Sequence, residues 1–142
     1  MASEAKTKKR ARKEEVEDLP TVRASAKYVR VAPRKARLVA DEVRGKTYPE
    51  AASILRFTNK RAARILGDVI NSAAANAEHN DDADPEELFV REIRVDEGPT
   101  IKRYRARALG RATMIRKRTS HISVELGVPV GVAVGTPEDE EE

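Results

Sequence analysis

The order of its hydrophobic periodicities predicts that this 142-residue chain takes an α+β fold from which a long basic β-hairpin protrudes. Three observations carry that expectation. Segments at 22–31, 88–95 and 121–126 read as strands, the first and last with the alternation of apolar and polar residues that marks a half-buried strand. Between the first two, apolar residues recur at helical spacing in three successive stretches. Between the last two, residues 98–119 hold eight basic side chains and no acid.

Residues 1–21 place a basic run (Lys6, Lys8, Lys9, Arg10, Arg12, Lys13) before an acidic one (Glu14, Glu15, Glu17, Asp18). Such a composition buries too little apolar surface to order itself, so a disordered charged arm is expected. It contains no apolar run suited to a signal peptide or membrane span, and a cytoplasmic protein is expected.

In the first strand Val22, Ala24, Ala26 and Tyr28 oppose Arg23, Ser25 and Lys27, and the phase slips at Val29. Pro33 suits a first helical turn, Ala36, Val39, Ala40 and Val43 follow at helical spacing, and Gly45 is a candidate C-cap. Pro49 opens a second helix with Ala52, Ile54 and Leu55 inward, after which Thr58 or Asn59 is expected to cap the third. That third helix is the longest, with Ala62, Ile65, Leu66, Val69, Ile70, Ala73 and Ala77 in one stripe before Asn80. An acidic loop (Asp81, Asp82, Asp84, Pro85) leads to the strand Leu88–Val95, which is expected to pair with the strand His121–Leu126 across the basic segment between them. Residues 128–142 are Gly, Val and Pro followed by acids, and are expected to form a disordered tail.

One domain, residues 22–127, therefore accounts for the apolar pattern. With 39% hydrophobic residues, 4% aromatic and no Trp, its core must be built of Ala, Val, Ile and Leu. No Cys is present, which excludes a disulfide framework and thiol or Cys-metal chemistry. The formal charge of +4 understates the basicity of the rest, because Glu138, Asp139, Glu140, Glu141 and Glu142 are acids at one end. A polyanionic partner suits that balance.

The basic segment is the most informative. Lys102, Arg103, Arg105, Arg107, Arg111, Arg116, Lys117 and Arg118 accompany only Ile101, Tyr104, Leu109, Met114 and Ile115, too few apolar residues for a core. With Gly110 permitting a turn, each arm has about ten residues and projects roughly 30 Å. Arg, favoured here over Lys, grips phosphates bidentately and stacks on bases, so RNA is the expected partner. A solvated loop is the bland alternative, and eight basic residues without an acid weigh against it. A second basic group (Lys27, Arg30, Arg34, Lys35, Arg37, Arg44, Lys46) surrounds the first helix, and Lys60, Arg61 and Arg64 begin the third.

Seven segments carry a resemblance to a known family: Ala32-Pro33-Arg34-Lys35, Arg44-Gly45-Lys46, Thr58-Asn59-Lys60, Asn76-Ala77-Glu78-His79-Asn80, Val95-Asp96-Glu97-Gly98-Pro99, Gly110-Arg111-Ala112 and Lys117-Arg118-Thr119-Ser120-His121-Ile122. Over about Arg23 to Leu126 the chain resembles the bacterial large-subunit ribosomal protein L-twenty-two family. The resemblance implies three helices packed on a small three-stranded antiparallel sheet, with the long hairpin protruding. It implies a structural role in the large subunit: binding several domains of large-subunit rRNA, assisting assembly, and meeting neighbouring large-subunit proteins and the nascent peptide. The hairpin tip, Tyr104, Arg105, Ala106, Arg107, Ala108, Leu109, Gly110 and Arg111, would line the peptide exit tunnel, where the family bears on macrolide sensitivity. Arg34, Lys35, Arg37, Lys46, Lys60 and Arg61 join the eight hairpin basics as candidate rRNA ligands. The arm before Val22 and the acidic tail match nothing in the family core.

No cofactor, metal, small-molecule substrate or membrane partner is expected. Catalysis would have to draw on Asp81, Asp82, Asp84, Glu86, Glu87, His79 or His121, and the acidic loop lacks the Gly and the closing Glu of a calcium loop. His79 suits a helix-end interaction, and His121 a packing or RNA contact. A free nucleic-acid-binding regulator would share the basic surface, but would call for a recognition helix or a platform of stacked aromatics, and Tyr28, Tyr48, Phe57, Phe89 and Tyr104 are dispersed. A protein-protein adaptor would show an exposed apolar patch instead.

Overall fold

The structure, a computed structural model, describes residues 21–128; the charged arm and the acidic tail fall outside the described residues apart from Thr21 and Val128. Strand β1 (Thr21–Val29) is followed by helices α1 (Pro33–Val43), α2 (Tyr48–Phe57) and α3 (Arg61–Asp81), then by β2 (Phe89–Glu97), β3 (Ile101–Ala106), β4 (Ala112–Lys117) and β5 (Ser120–Gly127). Strands β1, β5 and β2 form an antiparallel sheet in that order, and β3 and β4 form a separate two-stranded ribbon. This is the α+β fold expected, three helices on a three-stranded sheet with a hairpin.

The helices cover one face of the sheet. Leu66 and Ile70 of α3, Val39 and Val43 of α1, Val90 and Ile93 of β2, and Ile122, Val124 and Leu126 of β5 are all buried together. Alanines at 36, 40, 51, 62, 63, 73, 74 and 77 fill the spaces where the helices meet and let them approach closely, which is how a core with few aromatics reaches close packing.

Two bulges explain why the strand periods were imperfect. In β1 the register passes from Ala26↔Ile122 to Val29↔Ser120, and Tyr28 between them has φ +57°, so the phase slip at Val29 is a β-bulge. In β2 it passes from Val90↔Leu126 to Glu92↔Glu125, so that the extra residue, Arg91, puts both Val90 and Ile93 on the inner face.

Local differences from expectation have equally local causes. Gly45 (φ +75°) is not a helix cap: with Arg44 at φ −60°, ψ 134° it forms a type II turn closed by the Lys46 N–H to Val43 C=O bond of 3.3 Å. Ala51, not Ala52, is the buried partner of Leu55 on α2, and Ala52 is only half-buried. Thr58 does not cap α3; its Oγ1 donates back to Ile54 C=O at 2.7 Å and closes α2, and the N-cap of α3 is Lys60. Helix α3 runs past Asn80 to Asp81 and stops at Asp82 in the left-handed region. Within the acidic loop Asp84 accepts the Glu86 N–H at 3.0 Å, the cap of a single 3-10 turn.

Candidate nucleic-acid interface

The ribbon grows out of the β2–β5 pair through a tight joint. The Gly98 N–H donates to Thr119 C=O at 2.9 Å, and Thr119 Oγ1 donates to Pro99 C=O at 2.6 Å. A Cβ on residue 98 would collide with Thr119 Oγ1, so this close approach requires glycine.

Beyond the joint, β3 and β4 pair over six positions from Ile101↔Lys117 to Ala106↔Ala112, about 20 Å of regular ladder at ~3.4 Å per residue, shorter than ten-residue arms would give. At the tip Arg107 N–H donates to Arg111 C=O at 2.7 Å, and Leu109 (φ +59°) and Gly110 (φ +68°) are consecutive left-handed residues. Leucine is a costly choice there, at ~1–2 kcal/mol, and it is 93% exposed. Folding alone does not favour that residue at that place.

The ribbon's charges are exposed, and some stand directly opposite one another. Every residue from Lys102 to Arg118 is exposed. On one face Lys102 stands directly opposite Arg116, next to Tyr104↔Met114; on the other, Arg103 faces Ile115 and Arg105 faces Thr113. Like charges placed directly across a ladder destabilise it. None of these basic groups pairs with a described acid, and their only internal bonds are Arg103 Nη1 to Lys102 C=O at 2.9 Å and Arg107 Nε to Thr113 Oγ1 at 3.2 Å.

The helix layer continues the basic surface. Arg34 and Lys35 begin α1 and Asp41 and Glu42 end it; Arg61 and Arg64 begin α3 and Glu78 and Asp81 end it. Both orders oppose the helix dipole, which favours acids at the N-terminus and bases at the C-terminus by ~0.3–1 kcal/mol each. Lys35, Lys60 and Arg61 line one shared cavity of about 460 Å³, which brings the two basic helix starts together.

Not every candidate ligand is equally free. Strand β2 is an edge strand, and its outer edge is closed by α1 and the turn after it. Val90 exchanges backbone bonds with Gly45 (3.0 Å) and Lys46 (2.8 Å). Arg44 donates to Ile93 C=O through Nη2 (2.9 Å) and to the Asp41 carboxylate, and Arg37 donates to Val95 C=O through Nε (3.2 Å) and Nη2 (2.9 Å). Capping an edge in this way removes a template for strand addition, so Arg37 has a structural task that charge reading did not reveal. Lys60 Nζ is engaged by Glu42 at 3.2 Å; Arg34, Lys35, Lys46 and Arg61 are exposed and make no described ion pair.

The sheet's outer face is built differently. Arg23 Nε meets Glu125 at 2.9 Å, and Arg94 binds both Glu92 oxygens at 2.7 and 2.9 Å. That bonding to Arg94 holds the Glu92 carboxyl below the ordinary carboxylate range and raises Arg94. His121 serves packing: its Nδ1 accepts the Tyr28 N–H at 3.0 Å and its ring meets the Tyr28 ring edge-on at 4.8 Å. Among the described residues, no three His, Asp or Glu side chains come together as a metal site.

Fold and surface define an α+β module that leaves its basic charge unpaired on one ribbon and one helix face. Residues 24–127 match the family described as ribosomal protein L22p/L17e. The chain is 80% identical over 125 residues to the large ribosomal subunit protein uL22 of Rubrobacter xylanophilus, covering 85% of this chain and 98% of that one. It is 61% identical over 102 residues to the protein of the same name from Halothermothrix orenii (72% and 90% covered), and 57% identical over 102 to that of Desulforamulus reducens (72% and 90%). The chain belongs to the ribosomal protein L22p/L17e family, whose members are structural and non-enzymatic.

Proposed function

We propose that this chain is a structural constituent of the large ribosomal subunit that binds large-subunit rRNA with its ribbon and its basic helix face. In this reading residues 22–127 are one RNA-binding domain, to which the arm 1–21 and the tail 128–142 are appendages. It works in the cytoplasm, within the ribosome and beside neighbouring large-subunit proteins.

The observation that carries the reading is the ribbon: eight exposed basic residues, five on its two strands, two at its tip and one at its joint, with Lys102 directly opposite Arg116. Phosphates placed along both faces would relieve the repulsion of Lys102 and Arg116, and Arg103, Arg105, Arg107 and Arg111 would bind them with forked hydrogen bonds. Lys117 and Arg118 would hold RNA at the joint, and Arg34, Lys35, Lys46, Lys60 and Arg61 a second stretch beside the helices. Arg37 contributes charge from the edge that it closes. By neutralising RNA segments that converge on it, the chain assists subunit assembly.

The tip, Tyr104 to Arg111, lines the exit tunnel and meets the nascent peptide. The support is Leu109, held out in a backbone conformation unfavourable for leucine, beside an exposed Tyr104.

Ultraviolet crosslinking of the tagged chain in its own cells, followed by gradient fractionation and sequencing of attached RNA, tests the reading. Crosslinks clustered on large-subunit rRNA around the exit tunnel are expected. Residence in light fractions on scattered transcripts would contradict it and favour a free nucleic-acid binder.

A further inference from the structure

The cleft between α2 and α3 is not accounted for by the ribbon. It is an open cleft of about 820 Å³, within the range of ligand sites. Phe57, the last residue of α2, lines it and is 84% exposed, the most exposed aromatic of the described chain. In a protein whose core is short of aromatics, this ring is kept out of it. Around Phe57 the cleft carries Arg56, Arg61 and Arg64, none in an ion pair with a described acid, against one lining acid, Asp68. The Asn59 side chain on the same wall has no hydrogen-bond partner among those described, and Asn71 accepts from the Tyr48 hydroxyl at 3.1 Å, which leaves its amide N–H groups to donate.

An exposed aromatic ring, cationic forks and amide groups at one cleft match the three parts of a nucleotide: a base to stack, a phosphate to neutralise, and base edges to bond. An apolar peptide would use the ring but leave three guanidinium groups facing nothing, so the charge argues for RNA. We propose that the α2–α3 cleft receives one unstacked nucleotide of single-stranded RNA, its base against Phe57 and its phosphate between Arg61 and Arg64. The ribbon packs on neither helix, so this is a separate point of attachment. The inference rests on the RNA-binding reading above and adds to it a site on the body that takes a single strand rather than a duplex.

The chain has no tryptophan, so Phe57→Trp in the full chain provides a single tryptophan at the cleft, excited selectively over the tyrosines, at a position too exposed to disturb the core. That variant is titrated with an end-labelled single-stranded oligoadenylate of about ten nucleotides, a length suited to one groove, and tryptophan emission is read together with label anisotropy. Quenching that saturates with the anisotropy is expected, as is its persistence when Arg103, Arg105 and Arg107 are all changed to Ala. Arg61→Ala with Arg64→Ala should weaken binding about ten-fold, and a duplex RNA of equal length should leave the emission unchanged. A rise in anisotropy without quenching, or equal quenching by the duplex, would overturn the cleft proposal while RNA binding stands. No anisotropy change with this oligonucleotide or with large-subunit rRNA would remove both.

Discussion

The outer face of the sheet and the ribbon that extends from it are made of neighbouring strands, yet they handle charge in opposite ways. On the sheet Arg23 meets Glu125 and Arg94 meets Glu92 at 2.9 and 2.7 Å, so the face is balanced where it lies. On the ribbon Lys102 opposes Arg116 with no acid nearby, and no apolar layer supports the strands. A surface that ends in water is neutralised within the chain; one left unbalanced is completed by something else. On the proposed reading the body is stable without the ribbon's side chains, and the ribbon works only with a polyanion bound.

The comparison breaks most visibly in the core. Ile70→Ala, at a fully buried position of α3, should cost ~2–5 kcal/mol, seen as a large fall in the melting temperature followed by circular dichroism. Gly98→Ala, at the joint, comes next at ~1–3 kcal/mol, because Thr119 must move and give up its bond to Pro99; thermal melts of the purified chain would measure it.

Arg37→Ala and Arg44→Ala should each cost about 1 kcal/mol, a charged hydrogen bond discounted for partial exposure. Arg103→Ala should cost nothing measurable when all three variants are compared by denaturant titration. Equal losses at Arg37 and Arg103 would mean that the two arginine sets had been wrongly separated.

The smallest effect concerns Glu92. Its carboxyl is held below the usual range by Arg94, so its contribution to stability is present above the unfolded-state pKa and is lost as pH falls through the lowered one. Glu92→Gln should therefore lower the melting temperature slightly at neutral pH and leave it unchanged at low pH, which flattens the acid limb of the profile.

Much of this was legible in the sequence because periodicity and charge are local signals. The stripe Leu66, Val69, Ile70, Ala73 named the core face of α3, and the acid-free run from Gly98 to Thr119 named the ribbon. What escaped depended on contacts distant in sequence. The bulges at Tyr28 and Arg91 shift register only against β5, and Arg37 looked like a free cation until β2 lay beside it. Phe57 was the one exposed ring with a partial clue: it stands off the Ala51–Leu55 stripe of α2. The left-handed backbone of Leu109 had none, since turn chemistry would place glycine or asparagine there.

The most direct test of the central claim is the salt dependence of large-subunit rRNA binding by the whole chain, compared with the Arg103→Ala/Arg105→Ala/Arg107→Ala variant, with a thermal melt of each. If the ribbon is a phosphate grip on an independently folded body, the slope of log affinity against log salt should flatten by about 2, at ~0.7 per lost contact, and the melts should coincide. An unchanged slope, or a body that no longer folds, would contradict it.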